Sequence, residues 1–156
     1  MIRLSRITDY GIVLMVHLAR SPGDPSRNAR HLAGETDLPA PVVSKILKAL
    51  ARGGLLTSQR GVKGGYALSR SADDITVPEM ITALEGPISL TACTVHPGNC
   101  AQESSCDVRE PWQQINTAVH DALSRISLAD LAAPREPGAV IPLHSLGVNL
   151  ESTGSE

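Results

Sequence analysis

The chain has 156 residues, no Phe, one Trp and two Tyr, so one modest domain with an aliphatic core and an appendage is the scale to expect. No apolar run approaches the roughly 20 residues a bilayer-spanning helix needs. The longest near the N-terminus, GIVLMVHLA, is followed by no small-residue cleavage site, which argues against a membrane or exported protein. Three cysteines, an odd number, argue against a disulfide framework and for a reducing cytoplasm.

The formal net charge of −2 hides a division. Residues 1–70 carry eleven Lys/Arg against four acids, whereas residues 71–156 carry three Arg against twelve acids. A basic first half suggests a polyanion as partner, with a randomly charged solvated surface as the plain alternative.

In chain order, Ser5 or Thr8 can cap a first helix to about Arg20, with Ile12, Val13, Met15 and Val16 as its apolar stripe. SPGDPS (21–26) is a turn. Asn28 to Thr36 reads as a short second helix, Leu32 and Ala33 inward. Pro41 then opens a third helix, VVSKILKALAR, because proline lacks only an N–H that is unpaired in the first turn. Gly53 and Gly54 end it. Val42, Val43, Ile46, Leu47 and Leu50 are spaced for its buried face, Ser44, Lys45, Lys48 and Arg52 for the other. LLTSQ (55–59) and GYALS (65–69) are short strands joined by RGVKG, with Arg60 and Lys63 at the tip.

Two helices joined by a tight turn and followed by a basic hairpin make a winged helix-turn-helix. This is a mainly α fold with a small β-hairpin wing, over residues 1–88, for binding double-stranded DNA. In such a module the third helix enters the major groove. Pro41, Ser44 and Lys45 lie nearer the end that meets base edges, Lys48 and Arg52 are phosphate clamps, and Arg60 and Lys63 reach the minor groove or phosphates. A fourth helix is capped by Thr76, has Pro78 in its first turn, and stops at Gly86-Pro87.

Residues 89–110 form a loop that holds all the cysteines, Cys93, Cys100 and Cys106. From Pro111 a helix is expected to about Leu131, roughly 31 Å at 1.5 Å per residue. Trp112, Ile115, Val119, Ala122 and Ile126 repeat along it at heptad spacing, a seam that pairs two copies or packs on the chain's own domain. Pairing is preferred, so residues 111–133 are read as a dimerisation helix. Beyond Pro134, the stretch 134–156 has no clear periodicity and reads as a flexible tail.

Three thiols leave one position open in a four-ligand zinc or iron–sulfur site. Close cysteine pairs of the zinc-knuckle kind and ferredoxin spacings are both absent. Intervals of seven and six positions, with Pro97 and Gly98 between, suit wrapping an object wider than one ion. No phosphate loop or nucleophile with a partnered base appears, so no enzyme and no small-molecule substrate is expected. An electron carrier or metalloenzyme would leave the basic half unexplained.

RLSRITDYGIVLMVHLA, then LPAPVVSKILKALARGGLLTSQRGVKGGYALSR, then the C-x6-C-x5-C loop ahead of a long helix together resemble a bacterial family. It is the family of iron–sulfur transcription regulators that contains the cluster-assembly regulator IscR and the nitric-oxide sensor NsrR. The likeness spans about residues 1–132 and looks most similar to the branch controlling the SUF assembly system. It implies a cytoplasmic homodimeric regulator, a repressor of cluster-assembly genes, on a near-palindromic operator with half-sites about 34 Å apart. Nitric-oxide or redox sensing on the same fold, and a zinc or thiol-switch protein without a cluster, are its alternatives.

The resemblance further implies one 2Fe–2S or 4Fe–4S cluster per subunit, held by Cys93, Cys100 and Cys106. Where IscR-like members place a histidine three residues after the last cysteine, this chain has Arg109. Asp9 matches an aspartate that in NsrR-like members reaches across from the other subunit, and is the preferred fourth ligand. His96, Asp107 and Glu110 are rival donors.

Overall fold

The computed structural model describes residues 3–21, 27–59, 61, 64–95, 98 and 100–134. Helix α1 (Arg6–Arg20) is capped by the Ser5 side chain, which accepts from the Thr8 N–H. Helix α2 (Ala29–Thr36) is capped by Asn28 and stopped by Asp37 at φ 54°, a left-handed conformation that aspartate tolerates better than most residues. The Asp37 N–H returns to the Ala33 carbonyl, as does that of Leu38, which closes the turn tightly enough for α3 (Ala40–Arg52) to begin three residues later. Pro41 sits in the first turn of α3 and Gly53 ends it.

Strands β1 (Leu56–Gln59) and β2 (Gly65–Leu68) pair antiparallel, Leu56 opposite Leu68 and Gln59 opposite Gly65. After a 3-10 turn at Ala72–Asp74 comes α4 (Val77–Glu85), opened by a capping box in which Glu79 accepts from the Thr76 N–H and hydroxyl. Gly86, at φ 97°, turns the chain out of it. Then follow a one-turn helix α5 (Ala92–Val95), a 3-10 turn at Glu103–Ser105, α6 (Arg109–Ser124) and α7 (Leu128–Ala132).

The core is aliphatic, as the composition requires. Leu14, Met15 and Leu18 of α1, Leu32 of α2, Val43, Ile46, Leu47 and Leu50 of α3, and Met80 and Ile81 of α4 are buried together with Leu55, Leu56 and Ile75. At Gly11 an added Cβ would come within 2.3 Å of the Leu84 Cδ1, so the end of that α4 side chain packs over the glycine and would have to move for a larger residue. The stripe expected on α1 is rotated: Val13 is 43% exposed, and Ile12 and Val16 are half-buried. Val42 is likewise only half-buried.

The helix expected over 111–131 is two helices. Helix α6 starts at Arg109 and ends at Ser124, about 24 Å at 1.5 Å rise per residue. Ser127 then caps α7 with a second capping box, to Asp130. Ile126, the last position of the anticipated seam, falls between the two helices, where its carbonyl accepts from the Val77 N–H. Leu128 is fully buried, its N–H donating to Ile75, and α7 packs along α1. The end of the expected dimerisation helix thus completes the core of the winged unit. The anticipated tail, but for Pro134, lies outside the described residues.

Candidate nucleic-acid interface and cysteine loop

Helix α3 is strongly two-sided. Val43, Ile46, Leu47 and Leu50 have no exposed surface, while Pro41, Lys45, Lys48 and Arg52 are exposed and Ser44 is half-buried. The burial of one face therefore orients the other: Lys45, Lys48 and Arg52 share the outer side. The Arg52 Nε donates to the Lys48 carbonyl at 3.4 Å, holding the guanidinium along the helix end. The hairpin follows directly, its root secured by Ser69, whose N–H donates to Leu55 and whose hydroxyl donates to Gly54. Arg60 and Lys63, assigned to the wing tip, lie outside the described residues; the chain around them turns at Gly61, φ 118°, whose carbonyl accepts from the Gly64 N–H.

One basic residue of the N-terminal half does not belong to this surface. Arg27 is only 4% exposed, and its Nη1 donates to the Leu18 carbonyl at 2.9 Å.

The cysteine loop is pinned at its start. Asn116 of α6 accepts from the Leu90 N–H at 3.1 Å and donates to the Ile88 carbonyl. Ser89, Thr91 and Thr94 form a hydroxyl cluster, Ser89 Oγ to Thr94 Oγ1 being 2.7 Å, and the Thr91 hydroxyl lies 3.3 Å from the Cys93 sulfur. At the far end the Arg109 N–H donates to the Cys106 carbonyl as α6 begins. Cys93, Cys100 and Cys106 are all half-buried, and none is in a disulfide. They are not gathered: no three His, Cys, Asp or Glu side chains among the described residues come close enough together to hold a metal ion. Asp9 is exposed in the first turn of α1, Asp107 and Glu110 are exposed at the loop's end, and His96 lies outside the described residues.

The preferred fourth donor has a structured neighbourhood that the sequence does not announce. Thr8, beside Asp9, is fully buried and donates to the Glu85 carboxylate, which also accepts from the Ser5 N–H at 2.7 Å. Donors on Ser5 and Thr8 hold the Glu85 carboxyl below its ordinary range. The first turn of α1 is thereby tied to the last turn of α4, one residue before the chain leaves for the cysteine loop. Burial works against the charge of Glu79, but the Thr76 donors and the Arg70 guanidinium outweigh it and lower that carboxyl too.

The comparison with known proteins agrees with this architecture. A family model, Rrf2, described as an iron-dependent transcriptional regulator, matches residues 4–134. The HTH-type transcriptional regulator CymR of Bacillus subtilis (strain 168) is 32% identical over 124 residues, 80% of this chain and 85% of that protein. The solved structure of CymR, the global cysteine regulator of B. subtilis, is similar with a TM-score of 0.67 at 30% identity, covering 87% of this chain and 100% of that one. The structure of T. potens IscR is similar with a TM-score of 0.64 at 25% identity, covering 92% and 96%. With a two-sided third helix, a hairpin wing and a family match over nearly all of the described residues, the chain belongs to the Rrf2 family of DNA-binding transcriptional regulators.

Proposed function

We propose that the protein is a cytoplasmic, non-enzymatic homodimer that represses iron–sulfur cluster-assembly genes, those of the SUF system, and binds one cluster per subunit through Cys93, Cys100 and Cys106. The observation that carries the reading is the loop: three half-buried thiols, none in a disulfide, on one segment fixed to α6 by Asn116 and leaving the winged unit directly after α4. The donor chemistry fits, since soft thiolates suit iron–sulfur clusters, which would be 2Fe–2S or 4Fe–4S here. Cys93, Cys100 and Cys106 would hold the group, and metal binding is commonly coupled to local folding of this kind of segment.

Bound there, a cluster supplies a redox- and ligand-sensitive centre. The chain's own residues supply the rest. Asp9, reaching across from the second subunit, is the proposed fourth donor, and a hard carboxylate leaves one iron more open than a thiolate does. Because Thr8 and Ser5 tie the Asp9 turn to Glu85, a pull on Asp9 is felt by α1 and α4, which pack on α3. On the DNA, Pro41, Ser44 and Lys45 face base edges, while Lys48, Arg52, Arg60 and Lys63 contact phosphates or the minor groove of a near-palindromic operator.

The test is purification without air, followed by visible absorption and iron and sulfide analysis, then DNA binding by the wild type and by a triple Cys→Ser variant. The expected result is a coloured protein with equimolar iron and sulfide whose affinity or site preference changes when the three thiols are removed. Asp9→Ala is expected to keep the fold and to uncouple DNA affinity from cluster state. Iron-free protein with unaltered DNA binding in the triple variant overturns the proposal. A second reading is favoured by the separated thiols and by the likeness to a cysteine regulator: the same DNA-binding fold with zinc or a thiol switch in place of the cluster. Colourless protein with stoichiometric zinc, or with thiols that titrate reversibly under oxidant, selects it.

A further inference from the structure

We infer that Arg27 is a positioning residue for the wing, setting where the hairpin tip meets DNA without touching DNA itself. The hairpin has two strands of four residues, too little to be stable alone. Its root is held by Ser69 at Leu55 and Gly54. Its far end, where Ser58 opposes Tyr66 and Gln59 opposes Gly65, is held by Arg27: the Tyr66 N–H donates to the Arg27 carbonyl at 3.0 Å. Gly65 lies flat against the same residue, and an added Cβ would stand 2.8 Å from the Arg27 carbonyl carbon and oxygen.

The other end of Arg27 is fixed as firmly. Its Nη1 donates at 2.9 Å to Leu18, one of the last four carbonyls of α1, which have no partner within the helix. The guanidinium also complements the negative end of that helix. Its Nε is buried without a hydrogen-bond partner, a cost that simple space-filling by a hydrocarbon would avoid. One residue therefore joins the C-terminal turn of α1 to the wing at the strand pair beside residues 60–64, where the sequence places Arg60 and Lys63.

The inference rests on the wing contact proposed above, and a double-mutant cycle separates the two. Full-length protein is titrated with a duplex selected from a random pool by the wild type, over a range of salt. In the wild-type background the pair Arg60→Ala/Lys63→Ala is expected to weaken binding about tenfold and to flatten the logarithmic salt slope by about two units. In an Arg27→Met background the same pair should change affinity less than about twofold, while Lys48→Ala should cost the same in both backgrounds. Gly65→Ala pushes the strand off Arg27 from the wing side, leaves the interior intact, and should reproduce the cycle should Arg27→Met fold poorly. Equal cost of the tip pair in both backgrounds overturns the inference. A tip pair that is silent in the wild type removes the wing from the interface and the inference with it.

Discussion

Lys48, a proposed phosphate contact, stands on the outer side of a helix whose opposite side has no exposed surface at Val43, Ile46, Leu47 or Leu50, so the packing of that side keeps it at the surface. As a phosphate contact it should act uniformly. Lys48→Ala is expected to weaken binding to all sequences alike and to reduce the salt slope by about one unit, measured by titration at several salt concentrations. A changed sequence preference would instead make it a base reader. The exposed face of α3 was legible because its apolar and basic residues alternate at helical spacing. Val13 and Arg27 were not. The run GIVLMVHLA is apolar nearly all round, since α1 packs against α3, α4 and α7, and a continuous run has no period to select a face. Arg27 reads as one more surface cation because a charge in a sequence does not reveal that a carbonyl and a strand await it.

At the scale of elements, helix ends were legible where caps and breakers mark them: Ser5, Asn28, Pro41, Gly53, Thr76 and Gly86 all act as their chemistry suggests. The long final helix was misread because Ile126 and Leu128 prolong the apolar spacing of α6 while serving a different surface. A start signal was present in Ser127-Leu-Ala-Asp130, the spacing of a capping box, and it prevails over the continuing period. The clamp between α1 and α4 was invisible, its partners being separated by some eighty positions. It has a pH signature. Glu85 is held below its ordinary value of 4.5 in the fold, so its contribution is complete above that pH and is lost as acid protonates it. Glu85→Gln should therefore be less stable than the wild type at neutral pH. The gap should narrow as pH falls below about 4.5, as read by thermal unfolding across a pH series.

For the whole molecule, α6 is the long helix that reaches the core only in part, through half-buried Leu123. None of its residues is buried, yet Trp112 is 39% and Ile115 46% exposed on one stretch of its surface, with Val108 beside them before the first turn. As the proposed seam of a homodimer, this surface should tolerate polar replacement within one chain and fail between two. Trp112→Glu combined with Ile115→Glu is expected to leave helical content intact by circular dichroism and to shift the sedimentation of the protein to that of a monomer. Weaker operator binding should accompany the shift, because a dimer presents both recognition helices at once. The proposed assembly and the proposed gathering of the three thiols are the least legible: each would depend on a second body, a subunit or a metal, that a single sequence does not encode as spacing.

The return of α7 to the core gives the cysteine loop a particular mechanical character. The chain departs at Gly86 and rejoins at Ile126, whose carbonyl meets Val77 at the opposite end of the very helix from which it departed. The segment between them is thus riveted at its two ends to one short rod. Shortening or lengthening it cannot be absorbed by drift of a loose end: both ends are fixed, and the second lies beside Ile75 and Leu128, in the same packed interior that seats α3.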